Sequence, residues 1–273
     1  MNRIGICEWC LPPVGPFSLV LAKEAGYEGI QLGDLGGAYL NFPLSNQRIQ
    51  KEYMRMSEKT GIILQALHLH TLVREGTMKY PLDSPQGQKG TLSLRKGIEI
   101  CSQMHIPTLV LSAFFASSLE TQKEFDIFST QLRYACDYAE KYGITIAFES
   151  VLSIDRILDM VRIVDSGLKI CYDTVNPIRC HSGIPEYEIV QLGNALIDHF
   201  HIKDTTENLK QYCLIGTGCS NLPKITDAIT RIHYSGWFIS ENYYFRSPIG
   251  DVADPLVQLK QDGDTLRKIF PPT

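Results

Sequence analysis

Four times along this chain a helix-length stretch closes on a glycine and a short apolar run begins at once, with the stops at Gly26, Gly61, Gly143 and Gly167. Glycine readily takes the left-handed conformation that ends a helix, and the β-branched and aromatic runs that follow suit strands. Repeated strand–helix alternation with short connections implies parallel strands joined by right-handed crossovers. Eight such units fit, with strands expected near 3–7, 29–32, 62–69, 108–112, 144–149, 168–173, 197–203 and 236–241. Helices are expected near 17–25, 46–60, 86–104, 121–142, 154–165, 186–194, 223–233 and 255–269. A Gly-rich GDLGG loop follows the second strand, and a long loop covers 70–85. Eight units in 273 residues predict an α/β fold, a single-domain (β/α)8 TIM barrel spanning 1–273, with an open doubly wound sheet as the competitor.

The ends of four successive expected strands carry the chemistry. ITIAFES ends in Glu149, LKICYD in Asp173 and GWFISE in Glu241, and IDHFHIKD carries His201 near its end. Strand alternation puts Thr145, Ala147 and Glu149 on one face and Ile144, Ile146 and Phe148 on the other. Likewise Cys171 and Asp173 oppose Ile170 and Tyr172, and His199 and His201 oppose Phe200 and Ile202. The larger apolar set should face the helices, leaving the ligand set at the C-terminal mouth, where barrel active sites lie. One such residue is an ordinary polar cap; four in register are a metal site.

Three carboxylates and one imidazole suit a single divalent cation, Mn²⁺ first, with Mg²⁺, Co²⁺ or Zn²⁺ as rivals. A cation chelating a carbonyl and its neighbouring hydroxyl acidifies the α C–H. Glu149 and Glu241, from non-adjacent strands, would flank the substrate, one removing a proton and the other returning it. That is isomerisation or epimerisation of a sugar or sugar phosphate through a metal-held enediolate. A dehydratase of the keto-inositol or dehydroshikimate type on the same barrel is the alternative. A metal-dependent phosphodiesterase and a sugar-acid sensor without turnover complete the set.

At these residues the chain resembles the xylose isomerase-like barrels, a family of sugar phosphate isomerases and epimerases that includes ketose 3-epimerases, with endonuclease IV as a distant member. GYEGIQL, IAFES, YDTVNP, FHIKD, GTG and GWFISE match in order and spacing over nearly the whole chain, although Gln31 stands where Glu is common. The resemblance implies metal binding by Glu149, Asp173, His201 and Glu241, with the two glutamates also the acid–base pair. It places Asp155 where ketose epimerases carry a substrate-contacting Glu. Asn176 replaces a substrate-gripping His and Glu207 a substrate-gripping Arg of those enzymes. The fourth strand ends in SAFF without the His that endonuclease IV would need.

Further substrate contacts are expected from residues near the mouth. His68, sharing a face with His70, and Lys203, above His201, should point inward. Trp9, after Glu8, and Phe114 could wall a sugar. Gly216 to Gly218 could offer backbone N–H groups to an anion beside Arg246, although such glycines more commonly only make a turn. His199 lies one layer deeper and reads as structural.

Composition excludes some classes. The net charge of -4 gives no basic footprint for nucleic acid. No leader pattern and no apolar run of about 18 residues occurs, so a cytoplasmic protein with no membrane partner is expected. Eight cysteines in such a chain read as reduced thiols, with Cys7 and Cys10 ordinary strand-end residues rather than half of a zinc site. Aromatics after Glu241 (Tyr243, Tyr244 and Phe245) could form a lid or pack between subunits of a homodimer or homotetramer.

Overall fold

A computed structural model describes residues 1–12, 14–34, 42–252 and 254–272. Of the expected GDLGG loop, the part from Leu35 on lies outside the described residues. The strands in chain order are β1 (Arg3–Cys7), β2 (Gly29–Gly33), β3 (Ile63–His68), β4 (Thr108–Ala113), β5 (Thr145–Ser150), β6 (Lys169–Asp173) and β7 (Ile197–Ile202). A short antiparallel pair, β8 (Asp204–Thr205) and β9 (Tyr212–Cys213), precedes β10 (Trp237–Ser240). All but that pair close a parallel barrel in the order β1-β10-β7-β6-β5-β4-β3-β2. The expected (β/α)8 TIM barrel is therefore the observed fold.

The surrounding helices are α1 (Ser18–Glu24), α2 (Gln47–Thr60), α3 (His70–Glu75), α4 (Pro85–Gln103) and α5 (Gln122–Glu140). They continue with α6 (Ile154–Val164), α7 (Asn176–Arg179), α8 (Pro185–Leu196), α9 (Leu222–Arg231) and α10 (Pro255–Ile269). Local chemistry sets their ends. Gly61 closes α2 at φ +74°, its N–H donating to Ser57. Thr121 and Glu124 form a reciprocal capping box at the start of α5. The expected 70–85 loop instead contains α3 and a 3-10 turn at Thr77–Lys79. Six residues are too few to display a helical period, but Thr71, Leu72 and Val73 are buried. No helix among the described residues is long and apolar enough to cross a membrane.

The two faces of the strands separate as the period-two pattern requires. Ala66, Val110, Ala147 and Cys171, one from each of four adjacent strands, form a small cluster inside the barrel. Phe148 packs outward on Phe128 of α5, with ring centroids 5.6 Å apart. Phe200 is fully buried among Tyr172, Tyr234 and Phe238. At the lower end Gly29 is obligatory, because a Cβ there would lie 2.6 Å from the Trp237 ring. Small residues inside and large ones outside leave the mouth open to polar groups.

Candidate active site

Strand register brings the four ligand-type residues together. Asp173 pairs with His201 across β6 and β7, and Ser112 with Glu149 across β4 and β5. Glu241 follows β10 directly, its N–H donating to Ile202 O of β7 at 3.0 Å. Ligand atoms of Glu149, Asp173, His201 and Glu241 lie within 4.8 Å of one another, and all four residues are buried. Opposite ligands of one cation with bonds of about 2.1–2.4 Å are separated by similar distances. The Nδ1 of His201 faces the cluster, 3.3 Å from Glu149 Oε1 and 3.6 Å from Glu241 Oε2.

The donor set fits a hard or borderline divalent ion. Asp173 uses Oδ1 to accept the backbone N–H groups of Val175 and Asn176, at 2.8 and 2.7 Å. Its buried Oδ2 faces the Lys203 ammonium, with which an incoming cation would compete. Lys203 Nζ lies 2.7 Å from that Oδ2 and 2.6 Å from Glu241 Oε2, so a buried ammonium already counters the carboxylates. Burial works against the Lys203 charge, but Asp173 and Glu241 outweigh it and hold the pKa well above the ordinary range. Burial would raise Glu241, yet Lys203 and His201 hold it below its usual value, as a carboxylate. Asp173 is pushed up by burial, with Lys203 opposing. Burial disfavours a charged His201, but Glu241 and Glu149 raise its pKa overall.

Neighbouring side chains orient the two glutamates. Trp9 Nε1–H donates to Glu241 Oε1 at 3.1 Å. Ser112 Oγ–H donates to Glu149 Oε2 at 3.0 Å, so Ser112 must accept from His68 Nε2–H at 2.6 Å. Burial holds His68 well below its ordinary pKa, hence neutral. Trp9 also touches His68 and His70, with centroids 5.3 and 4.7 Å away. His68, Lys203 and Trp9 therefore join the four expected ligands. Asn176 is half-buried beside Asp173, at the start of α7, and Phe114 is half-buried after β4. Asp155 is exposed in the first turn of α6, and among the described residues no hydrogen bond links it to the cluster. Arg246 is exposed and stacks on Tyr243 at 4.2 Å.

Some contributors escaped the sequence reading. Ser112 was the last residue of an expected strand, and its inward face was the available signal. Gln31 is fully buried and its Oε1 lies 2.6 Å from His201 Nε2, making it a direct support of that imidazole. Tyr212 comes from the unexpected β8–β9 pair, stacks with Tyr243 at 5.5 Å and carries Arg179 at 4.5 Å. Glu8 faces away from the chemistry: it accepts from Tyr53, Ser18 and the N–H groups of Gly15 and Gly33. The GTG loop also has an internal purpose. Gly216 N–H and Gly218 N–H donate to Asp204 Oδ2 at 3.0 and 2.9 Å, so an internal carboxylate takes the anion's place.

A second buried carboxylate stands behind Glu241. Asp262 of α10 accepts from Ile215 N–H through Oδ1, and from Asn242 Nδ2–H and Tyr244 O–H through Oδ2. Tyr244 in turn lies 2.7 Å from Ser240 Oγ. Burial pushes the Asp262 carboxyl up to about 6. All eight cysteines are free thiols.

A closed parallel barrel thus gathers at its mouth three acids and an imidazole that could hold a divalent ion. The chain belongs to the xylose isomerase-like TIM barrel family, whose model matches residues 19–269. It is 27% identical over 229 residues to 2-epi-5-epi-valiolone 7-phosphate 2-epimerase of Actinoplanes sp., covering 83% of this chain and 82% of that protein. It is 23% identical over 255 residues to a probable L-ribulose-5-phosphate 3-epimerase of Mycoplasma pneumoniae, covering 89% and 81%. A crystal structure of the IOLI protein with a bound zinc atom superposes with a TM-score of 0.79 at 16% identity, covering 98% and 97%. The chain is accordingly an enzyme of the isomerase and epimerase class.

Proposed function

We propose that the protein is a divalent-metal-dependent epimerase of a sugar phosphate or a phosphorylated cyclic polyol ketone. The observation that carries this reading is the convergence of Glu149, Asp173, His201 and Glu241 within 4.8 Å at the barrel mouth. These four would hold the ion, Mn²⁺ by preference for an oxygen-rich set. When bound, the ion polarises the substrate carbonyl and acidifies the adjacent C–H. Glu149 and Glu241 stand on opposite sides of the cluster, one removing the proton and the other returning it to the opposite face. Lys203 and His201 hold Glu241 as a carboxylate, so it would start deprotonated. Ser112 and Trp9 fix the aim of the two carboxylates. Lys203 would follow the negative charge as it moves from Glu241 onto the substrate oxygen.

Two stacked guanidinium–tyrosine pairs, Arg179 on Tyr212 and Arg246 on Tyr243, support a place for the phosphate. Arginine forks bind phosphate bidentately, and both matched relatives are named for phosphorylated substrates. His68, Asn176 and Phe114 would contact the carbon skeleton, and Asp155 the outer rim.

The test is a panel of ketose phosphates, ketoses and phosphorylated cyclitol ketones, assayed in D₂O after chelator treatment and Mn²⁺ addition. Deuterium incorporated at one carbon beside the ketone, with inversion there and no water lost, is expected. Loss of water would move the protein to the lyases. No exchange on any member with any divalent ion would refute the reading.

A further inference from the structure

A line of hydrogen bonds runs from the lower end of β7, through the barrel interior, to the cluster. Asp198, half-exposed near the start of β7, accepts from His199 Nδ1 at 2.7 Å. His199 Nε2 lies 3.0 Å from Gln31 Nε2. Gln31 Oε1 lies 2.6 Å from His201 Nε2 and also accepts the Cys7 thiol at 3.3 Å. Gln31, His199 and His201 are all fully buried, so no water is available to replace a wrongly oriented partner.

We propose that Asp198, His199 and Gln31 form a tautomer relay that holds the Nε2 proton of His201 and so presents its Nδ1 to the cluster at the mouth. The proposal rests on the reading of that cluster as a metal site. A carboxylate can only accept, so the proton of neutral His199 sits on Nδ1 and its Nε2 carries a lone pair. That lone pair requires the Gln31 amide to present N–H. The same amide then turns its oxygen toward His201, whose Nε2 must carry the proton. The Nδ1 of His201, facing Glu149 and Glu241, is then the nitrogen left to an ion, which would displace any proton those carboxylates hold there. The reversed line is also self-consistent: His199 with Nε2–H, a flipped amide, and His201 with Nδ1–H, which could not ligate. Asp198 selects the ligating form, whereas Glu149 and Glu241, beside His201 Nδ1, favour a proton there until an ion displaces it. Gln31 and Asp198 are therefore positioning residues, acting through His201 alone.

The test combines nitrogen NMR of ¹⁵N-histidine-labelled protein with calorimetric titration of Mn²⁺. His199 should be protonated at Nδ1 with or without metal. In the zinc-loaded protein, His201 should carry Nε2–H and a coordinated Nδ1. Gln31→Leu should weaken Mn²⁺ binding about 10- to 100-fold, as loss of a partner to a metal-bound histidine does. Asp198→Ala should weaken it by a smaller factor and leave His199 in mixed tautomers. Gln31→Glu, which keeps an acceptor for His201, should recover most of the affinity lost in Gln31→Leu. A His199 proton on Nε2 in the wild type would overturn the relay. So would unchanged affinity and tautomers in Asp198→Ala. Failure of the wild type to bind any divalent ion would instead sink the reading of the site, with the His199 tautomer still legible.

Discussion

Replacing Lys203 by Met tests whether the four acceptors and donors at the mouth share one cation. The ammonium sits 2.7 Å from Asp173 Oδ2 and 2.6 Å from Glu241 Oε2, with all three groups buried. Removing one partner of such a buried arrangement costs about 3–5 kcal/mol, because the remaining charges lose their counter-ion. A divalent ion bound by the same carboxylates supplies that counter-charge. The loss in the metal-loaded protein should then be about 1 kcal/mol, the usual size for a change of apolar shape at similar volume. The difference, about 2–4 kcal/mol, must reappear as tighter metal binding, about 30- to 700-fold, since each 1.4 kcal/mol is tenfold. Urea unfolding of wild type and Lys203→Met, each with chelator and with saturating Mn²⁺, measures both legs of the cycle. Calorimetric titration measures the affinity independently. Equal destabilisation with and without metal, or an unchanged Kd, would show that the ion and the ammonium do not compete, and the proposed site would be wrong.

Glu149→Gln and Glu241→Gln should each lower kcat about 10²- to 10⁴-fold, the range for losing a positioned proton-transfer group, while folding cooperatively in urea; activity near the wild type in either would remove it from the acid–base pair. Arg246→Ala should raise KM for a phosphorylated substrate far more than for its dephosphorylated counterpart, and equal effects on both would place the phosphate elsewhere. Asp262, whose carboxyl is raised from an ordinary 3.8 to about 6, binds more protons folded than unfolded between those values. Stability should therefore fall as pH rises through that window, by up to about 3 kcal/mol at 1.36 kcal/mol per unit. Urea midpoints of Asp262→Asn should lack that fall between pH 4 and 7, and parallel profiles for the two proteins would contradict it.

The barrel could be read from the chain because its signals are local. A glycine stop followed by a period-two apolar run is visible over a few residues, and the inward Ala147 and Cys171 against the outward Phe148 and Tyr172 follow from alternation alone. The quartet was legible for the same reason: each member ends its own strand. The partnerships were not. Gln31 reaches His201 across 170 positions, and Trp9 reaches Glu241 across 232, so no spacing rule joins them. The GTG segment read first as a turn and second as an anion cradle, and its partner, Asp204, could be recognised only once the loop had folded back on it. Helix α3 was missed because six residues hold too few turns to show a period.

The Asp262 cluster makes the far end of the polypeptide a buttress for its chemistry. One carboxylate on α10 fastens Asn242 and Tyr244, immediately beyond Glu241, and also the backbone at Ile215. Glu241 thus takes its footing from a helix distant from it in sequence.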